Sequence, residues 1–252
     1  KGHIQAVCQD INNYIKFLII GGDGTFHEAI NGFMKNKNLH LITVGFLPGG
    51  TGNSFMYDLK AINYQQAFNK IIKGKTKKID ILQLKLINKI QYSFNIVGWG
   101  LVSDINILAE RLRFLGFQRY NIASLYYIFK RKLRTAELVI DGELRRDKYF
   151  FIMCLNTVHT GKGMKAAPRA ILDDGLLDVV LLESKISTLQ LIILLTKIFK
   201  GTHIQSKYVE YVQAKSISIN PEEKSILNVD GENKFNTPVD ISVLPKALNI
   251  LY

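Results

Sequence analysis

The chain has 252 residues, 47% hydrophobic and 21% charged, a balance that suits one large core or two modest ones and excludes a mostly disordered chain. Thirty-three lysines and arginines against 21 acids leave a net charge of +12, which favours anionic partners such as phosphate compounds, anionic lipid or nucleic acid. Cys8 and Cys154 are the only cysteines, so no disulfide scaffold is implied and a reducing compartment is expected, while the longest apolar run, residues 189–195, is too short to span a bilayer.

Residues 15–20, from Ile15 onward, are mostly apolar and predict a buried strand of a parallel sheet. Gly21-Gly22-Asp23-Gly24-Thr25 follows at once. Beyond it Phe26, Ala29, Ile30, Phe33 and Met34 recur at helical spacing, with Thr25 placed to cap and Glu28 three residues later to complete a capping box. His27 is expected on the helix surface or at an interface. A second unit repeats the plan: a strand over 41–47, a stop at Pro48, then Gly49-Gly50-Thr51-Gly52 leading to Asn53 and Ser54 at the next helix start.

Glycines in such loops permit positive φ and close backbone approach, and a helix start offers free N–H groups and the positive end of a dipole. Phosphate suits that environment. Neither loop is a P-loop, because no Gly-Lys-Ser/Thr follows, and neither has the spaced dinucleotide fingerprint. Asp23, among backbone donors, is expected to stay ionised and so to bind Mg2+ or take a proton from an attacking hydroxyl. Two tight turns, with Asp23 as an Asx-type stabiliser, are the alternative.

Up to residue 72 the strand and helix alternation predicts an α/β layer. A polar break covers 73–78, after which residues 79–86 alternate with period two, turn at Asn88-Lys89 and return through Phe94 and Ile96 as a hairpin. Helices are predicted over 102–115, with a stripe of Ile105, Leu108, Leu112 and Leu115, and over 122–133, with Ile122, Leu125, Tyr126 and Phe129. Phe114, Phe117 and Tyr127 lie on other faces. Strands over 137–140 and 149–155 flank an Asp141-Gly142 turn, and another covers 177–182. A helix over 188–199 ends before Gly201, and strands over 211–219, 225–229 and 239–244 follow. Asp230-Gly231 falls at a turn, where turn chemistry alone would explain its acid. Gly161-Lys162-Gly163 after His159 borders a cleft or forms a loop. Arg111, Arg113, Arg119, Lys130, Arg131, Lys132 and Arg134 concentrate charge in the middle third, but no repeated stacking pattern or DNA-reading signature accompanies them, so no nucleic-acid partner is expected.

The glycine loops and several later motifs together resemble the lipid kinase superfamily of diacylglycerol, sphingosine and ceramide kinases. Gly-Gly-Asp-Gly-Thr with Glu28, Asn31 and Gly32 is similar to its catalytic loop. Residues 47–53 are similar to its second nucleotide loop, and Ala167-Pro168, residues 172–179 and Asp230-Gly231-Glu232 follow in the family's order. Residues 95–104, followed by Glu110, Arg111, Arg113, Leu115-Gly116 and Arg119-Tyr120, resemble the sphingosine and ceramide kinases most.

The resemblance implies an α/β N-terminal domain (1–75), three-layered and partly missing at its start, and a β-rich, sandwich-like lipid-binding domain (76–238) with inserted helices. A final strand and tail (239–252) would return toward the first domain, and the nucleotide site would lie in the interdomain cleft. It implies phosphorylation of a lipid hydroxyl with ATP and Mg2+. Asp23 would be catalytic, and Gly21, Gly22, Gly24, Thr25, Gly49, Gly50, Thr51, Gly52, Asn53, Arg113, Arg119, Asp230, Gly231 and Glu232 would meet the nucleotide. Asp23, Asp230 and Glu232 would lie near the metal. Asp104 and Asn106 would face the lipid headgroup, but sphingosine kinases carry an aspartate at the position of Asn106, so the change weakens a free long-chain base as substrate. The apolar helices suit core packing or the wall of a long-chain pocket. The protein is expected to be cytoplasmic and to work at a membrane surface, drawn to anionic lipid. The strand and Asn-Pro loop that open the family lie before Lys1, and a chain without them is expected to be inactive by itself. A soluble kinase of the NAD kinase type, and a lipid-binding protein with degraded catalysis, are the alternatives.

Overall fold

The computed structural model describes residues 2–11, 16–50, 52–116, 118–161 and 163–252; Ile15, Thr51, Phe117 and Lys162 lie outside them. The first region runs α1 (His3–Asp10), β1 (Lys16–Gly21), α2 (Asp23–Phe33), β2 (Thr43–Pro48), α3 (Ser54–Asp58) and α4 (Tyr64–Lys73). β1 and β2 pair in parallel from Lys16 opposite Thr43 to Gly21 opposite Pro48. The two strands therefore end level, and both glycine loops leave the sheet at the same edge. β1 ends the strand order, with Leu18 and Ile20 exposed, where the apolar run led us to expect a buried strand. Its hydrophobicity does not distinguish an edge from an interior position.

The second region begins with β3 (Thr76–Leu86), β4 (Lys89–Ser93) and β5 (Ile96–Gly100), then α5 (Leu101–Arg111) and α6 (Gln118–Lys130). β6 (Arg134–Ile140) and β7 (Glu143–Leu155) follow, with the short pair β8 (His159–Thr160) and β9 (Met164–Lys165), then β10 (Leu177–Glu183) and α7 (Thr188–Lys197). β11 (Val209–Ala214), β12 (Ser216–Pro221), β13 (Ile226–Val229), β14 (Glu232–Asn236) and β15 (Val239–Leu251) complete the chain. The architecture is thus an α/β N-terminal part joined to a β-rich C-terminal part, as expected. Among the described residues, thirteen strands form one continuous sheet whose main path is β1-β2-β15-β12-β6-β7-β5-β13-β14.

β3 and β15 run side by side through both regions. On β3, Ile79 and Ile81 enter the core beneath α2 and α3, whereas Leu82 and Leu84 enter the core between the later strands; β15 does the same with Leu248 and Ile250 against Val239 and Ile241. The crossover coincides with a break in register between Leu244 and Leu248, where Lys246 adopts a φ of 51°. Fully buried Asp80 holds that bulge, accepting from the Lys246 and Gly175 N–H groups, each at 2.7 Å. Near the end of β15, Asn249 and Ile250 pair in parallel with Thr43 and Val44 of β2.

The inserted helices differ from expectation. α5 stops at Arg111, a short 3-10 turn covers Arg113–Leu115, and Gly116 at φ 57° breaks the path. Ile122, Leu125, Tyr126 and Phe129 of α6 are exposed rather than packed; Ile128 on the opposite face enters a third core with Phe150, Ile186 and Leu191. The polar segment at 143–148 proved to be strand, paired with β6 across an Asp141-Gly142 turn in which both residues have positive φ.

Candidate active site

Because β1 and β2 end level, the two glycine loops meet backbone to backbone. The Gly49 N–H donates to the Gly21 carbonyl at 2.7 Å. A Cβ on Gly22 would stand 2.9 Å from the Gly50 Cα, and one on Gly50 only 2.5 Å from the Gly22 Cα. A Cβ on Gly21 would strike the Thr25 side chain, and one on Gly52 would come within 2.9 Å of Asp23 Oδ2. Mutual approach, not positive φ, is what requires these glycines. The left-handed residue of the second loop is instead Asn53, at φ 47°, whose side chain accepts from the Gly50 N–H at 3.0 Å and donates to the Gly50 carbonyl at 2.7 Å. Gly24, Gly49 and Gly50 remain solvent-facing.

α2 begins at Asp23, with Gly22 as its N-cap and no side-chain cap, so the expected Thr25–Glu28 capping box does not form. Thr25 packs beneath Gly21, and Glu28 accepts from the Gly2 N–H at 3.1 Å. The uncapped helix start leaves N–H groups and a positive dipole end for an anion. Asp23 reaches across to the second loop, where its carboxylate accepts from the Ser54 N–H at 3.0 Å and the Phe55 N–H at 3.4 Å. Burial raises its pKa above the ordinary carboxylate range, opposed by the Ser54 and Phe55 donors and reinforced by the charge of Asp230. The sequence reading weighed only the donors; desolvation outweighs them. Glu232 Oε1 lies 3.8 Å from the point a Cβ on Gly24 would occupy, so its carboxylate adjoins the first loop, where it also pairs with Lys234 at 2.5 Å.

Asp230 occupies a different environment. Its side chain is fully buried, and its oxygens accept from the N–H groups of Phe94, Asn95 and Ile96, from the Ser93 hydroxyl at 2.7 Å and from His27 Nδ1 at 2.8 Å. Its lone pairs are filled within the protein, so Asp230 serves as a post tying α2 to the start of β5, close enough for its charge to act on Asp23. His27, expected on the helix surface or at an interface, stands at an interface, buried between Asp230 and β4. Gly231, with φ 92°, makes the turn and donates to Asn228.

Both arginines carried over from the family lie beside Glu110: Arg113 bonds it directly and Arg119 approaches to 3.6 Å. Asp104 is held by Arg134 at 2.8 Å, leaving Asp104 Oδ2 and Arg134 Nη1 buried and without a hydrogen-bond partner among the described residues. In sequence Arg134 is one of a basic cluster, and nothing local marks it as the partner of Asp104. Asn106 accepts from Asn233, which in turn accepts from Asn228, so an amide chain joins α5 to the Asp-Gly-Glu turn.

A second network escaped the sequence because its members lie far apart in the chain. Buried Asn95 donates to the Ser54 hydroxyl and to the His159 carbonyl, each at 3.1 Å. Asp58, at the end of α3, accepts from the N–H groups of Val158 and His159 and faces His159 Nδ1 at 3.2 Å. The second glycine loop, Asp23 and the 158–160 segment are thereby braced together. Thr51 of that loop lies outside the described residues.

Among the described residues no cluster of three or more His, Cys, Asp or Glu side chains converges to hold a metal ion. Magnesium bound with a nucleotide takes one or two carboxylates, and phosphate oxygens and waters complete its octahedron. Asp23 and Glu232, both adjoining the first loop, fit that requirement; Asp230 does not. Among the described residues no helix is long and apolar enough to cross a membrane.

Two stacked, solvent-facing glycine loops with an acid between them stand at the strand ends of an α/β region that is joined to a β-rich partner. Residues 1–84 match the diacylglycerol kinase catalytic domain, and residues 95–252 match the YegS C-terminal NAD kinase beta sandwich-like domain. The chain belongs to the lipid kinase superfamily that includes the diacylglycerol and sphingosine kinases. A diacylglycerol kinase of Bacillus subtilis is 29% identical over 85% of this chain and 70% of its own length. A sphingoid long chain base kinase of Schizosaccharomyces pombe is 24% identical over 98% of this chain, and sphingosine kinase 1 of Arabidopsis thaliana is 26% identical over 88%. The chain spans 64% and 57% of the lengths of these last two relatives. A crystal structure of a diacylglycerol kinase from Bacillus anthracis superposes with a TM-score of 0.79 at 26% identity, covering all of this chain and 83% of that one.

Proposed function

We propose that the protein transfers the γ-phosphoryl group of ATP to the primary hydroxyl of a lipid: a sphingoid base, a ceramide or a diacylglycerol. The observation that carries this reading is the stacking of two glycine loops over an uncapped helix start, with Asp23 spanning them. In the reaction the lipid oxygen attacks the γ-phosphorus, the bond from that phosphorus to the bridging oxygen of ADP breaks, and the hydroxyl proton passes to Asp23. Gly21, Gly22, Gly24, Thr25, Gly49, Gly50, Thr51, Gly52 and Asn53 cradle the phosphates, and Ser54 and Phe55 orient Asp23. Asp23 and Glu232 would hold Mg2+ together with the phosphates, and the ion would supply neutralisation of phosphate charge. Arg113 and Arg119 exchange Glu110 for phosphate oxygens.

Asp104 Oδ2 and Arg134 Nη1 meet the headgroup, an acceptor beside a donor, each a buried atom that gains about 1–3 kcal/mol when partnered. A neutral amide at Asn106, already bonded to Asn233, favours an uncharged headgroup over an ammonium. In this reading residues 1–75 serve the nucleotide and 76–238 the lipid, with 239–252 joining them, and the protein works peripherally at a membrane from the cytoplasm.

The test is transfer of labelled γ-phosphate by the full-length protein to sphingosine, ceramide, diacylglycerol and monoacylglycerol. Label in one or more lipids is expected, with ceramide or a glycerolipid above sphingosine. Label only in NAD or a sugar phosphate, or in no acceptor, contradicts the reading.

A further inference from the structure

The structure leaves a broad apolar surface without a partner on the side of the molecule built by α6 and α7. Both helices rest on the same core, through Ile128 of α6 and Leu191 of α7, so their opposite faces point outward together. They are tied at one end by Arg131, whose guanidinium donates to the Ile186 carbonyl at 2.7 Å and reaches the Thr188 hydroxyl at 3.4 Å. Outward on α6 stand Ile122, Leu125, Tyr126 and Phe129, at helical spacing; outward on α7 stand Leu189 and Ile193, with Phe199 just beyond. Phe129 and Leu189 are each 68% exposed. So many large apolar side chains left exposed on two helices that share a core and are tied together by Arg131 mark a docking surface rather than ordinary scatter.

Its charge selects the partner. No aspartate or glutamate occurs between Glu110 and Glu137, or between Glu183 and Glu210. The same two stretches carry Arg111, Arg113, Arg119, Lys130, Arg131, Lys132 and Arg134, and Lys185, Lys197, Lys200 and Lys207. Along α7 the outward stripe runs from Leu189 and Ile193 to Lys197 and Lys200, apolar side chains giving way to lysines. Arg113, Arg119 and Arg134 are engaged by Glu110 and Asp104, and Lys185 and Lys207 lie beside Glu183. But exposed Lys130, Lys132, Lys197 and Lys200 stand with the apolar groups on or just beyond helices that carry no acid, a combination that matches the acyl boundary and anionic headgroups of a bilayer leaflet. Exposed aromatic and aliphatic side chains reach below the headgroups, while lysine stems snorkel toward them.

We propose that the joint outward face of α6 and α7 docks the protein onto an anionic membrane surface, with Phe129, Leu189, Ile193 and Phe199 entering the acyl boundary. The inference deepens the lipid kinase reading, and it rests on that reading for preferring a bilayer to a protein partner. It also assigns half of the surface to α7, which carries none of the candidate catalytic or headgroup residues.

The test is cosedimentation of the full-length protein with vesicles of phosphatidylcholine alone and with phosphatidylserine added, in low and high salt. Wild type is expected to bind the phosphatidylserine vesicles preferentially and to be released by salt. The double variant Leu189→Asp/Phe199→Asp is expected to lose about tenfold or more of that binding with an unchanged melting temperature. Lys197→Glu/Lys200→Glu, which leaves every apolar contact in place, is expected to lose the preference for phosphatidylserine, and Ile87→Asp on the β3–β4 hairpin to bind as wild type.

Equal binding of wild type to both vesicle types, wild-type binding by both double variants, or a wild-type dimer that Leu189→Asp/Phe199→Asp splits into monomers would overturn the proposal. Phosphorylation of a water-soluble short-chain lipid separates the two readings. If it persists while the double variants bind vesicles normally, the docking face is wrong and the kinase reading stands. If it is absent while vesicle binding follows the pattern above, the kinase reading fails instead.

Discussion

Gly22 and Gly50 face each other so closely that a methyl group on either would press into the other's Cα, at 2.9 and 2.5 Å. This contact is a consequence of register: Gly21 stands opposite Pro48 at the ends of two parallel strands, so the loops that follow have nowhere to go but against one another. Gly50→Ala is therefore expected to destabilise the fold by about 1–3 kcal/mol through overpacking and to separate the loops. A thermal melt and an Mg-ATP binding titration check this; wild-type values in both would mean that the loops do not stack in solution.

Asp230 gives the sharpest contrast between motif and environment. Replacing it with Asn keeps one acceptor, but the NH2 group must face either the Phe94 N–H and His27 or the Ser93 hydroxyl with the Asn95 and Ile96 N–H groups. Buried groups left unsatisfied cost about 1–3 kcal/mol each. Asp230→Asn is expected to lower the melting temperature markedly, and His27→Ala to do so less. Glu232→Gln is expected to leave stability near wild type and to reduce turnover. A stable Asp230→Asn protein with weakened magnesium dependence would return Asp230 to the metal.

Asp178 titrates in an accessible window. Burial raises its pKa to about 6, with the Tyr211 hydroxyl, 2.5 Å away, acting in the opposite direction. The folded value exceeds the unfolded one of about 3.9, so between these two the native state holds more protons. Stability then rises as pH falls from about 6 toward 4, and the cost of the buried charge is fully present at pH 7. Asp178→Asn is expected to raise the melting temperature at pH 7, to lose most of that advantage by about pH 4.5 and the rest below the unfolded value. An advantage independent of pH would assign the effect to something other than ionisation.

Asp104 and Arg134 offer a headgroup test independent of the nucleotide. Asp104→Asn is expected to raise KM for the lipid severalfold while leaving KM for ATP unchanged. Equal changes in both would point to a distorted fold instead.

Much of the first region was legible because local chemistry dictates it: apolar strand, glycine turn and periodic helix follow within a few residues. The catalytic-loop and Asp-Gly-Glu motifs were legible as motifs only. The environment of Asp230 depends on Ser93, Phe94, Asn95, Ile96 and His27, distant in sequence, and no spacing rule brings them together. Asp23 was read from its donors alone, because burial has no local signature. The same blindness placed Ile122, Leu125, Tyr126 and Phe129 in a core or pocket, since a helical stripe shows that one face is apolar and not what covers it. β1 was read as buried for the same reason.

The most direct measurement is the rate of phosphate transfer to lipid by the full-length protein carrying Asp23→Asn, with folding followed by circular dichroism. The amide retains an oxygen for the Ser54 N–H but cannot take the hydroxyl proton. We predict a folded protein that still binds Mg-ATP and whose turnover falls by about 10²–10⁴-fold, the span general-base catalysis commonly provides. Turnover at the wild-type rate would contradict the assignment of Asp23 as the base.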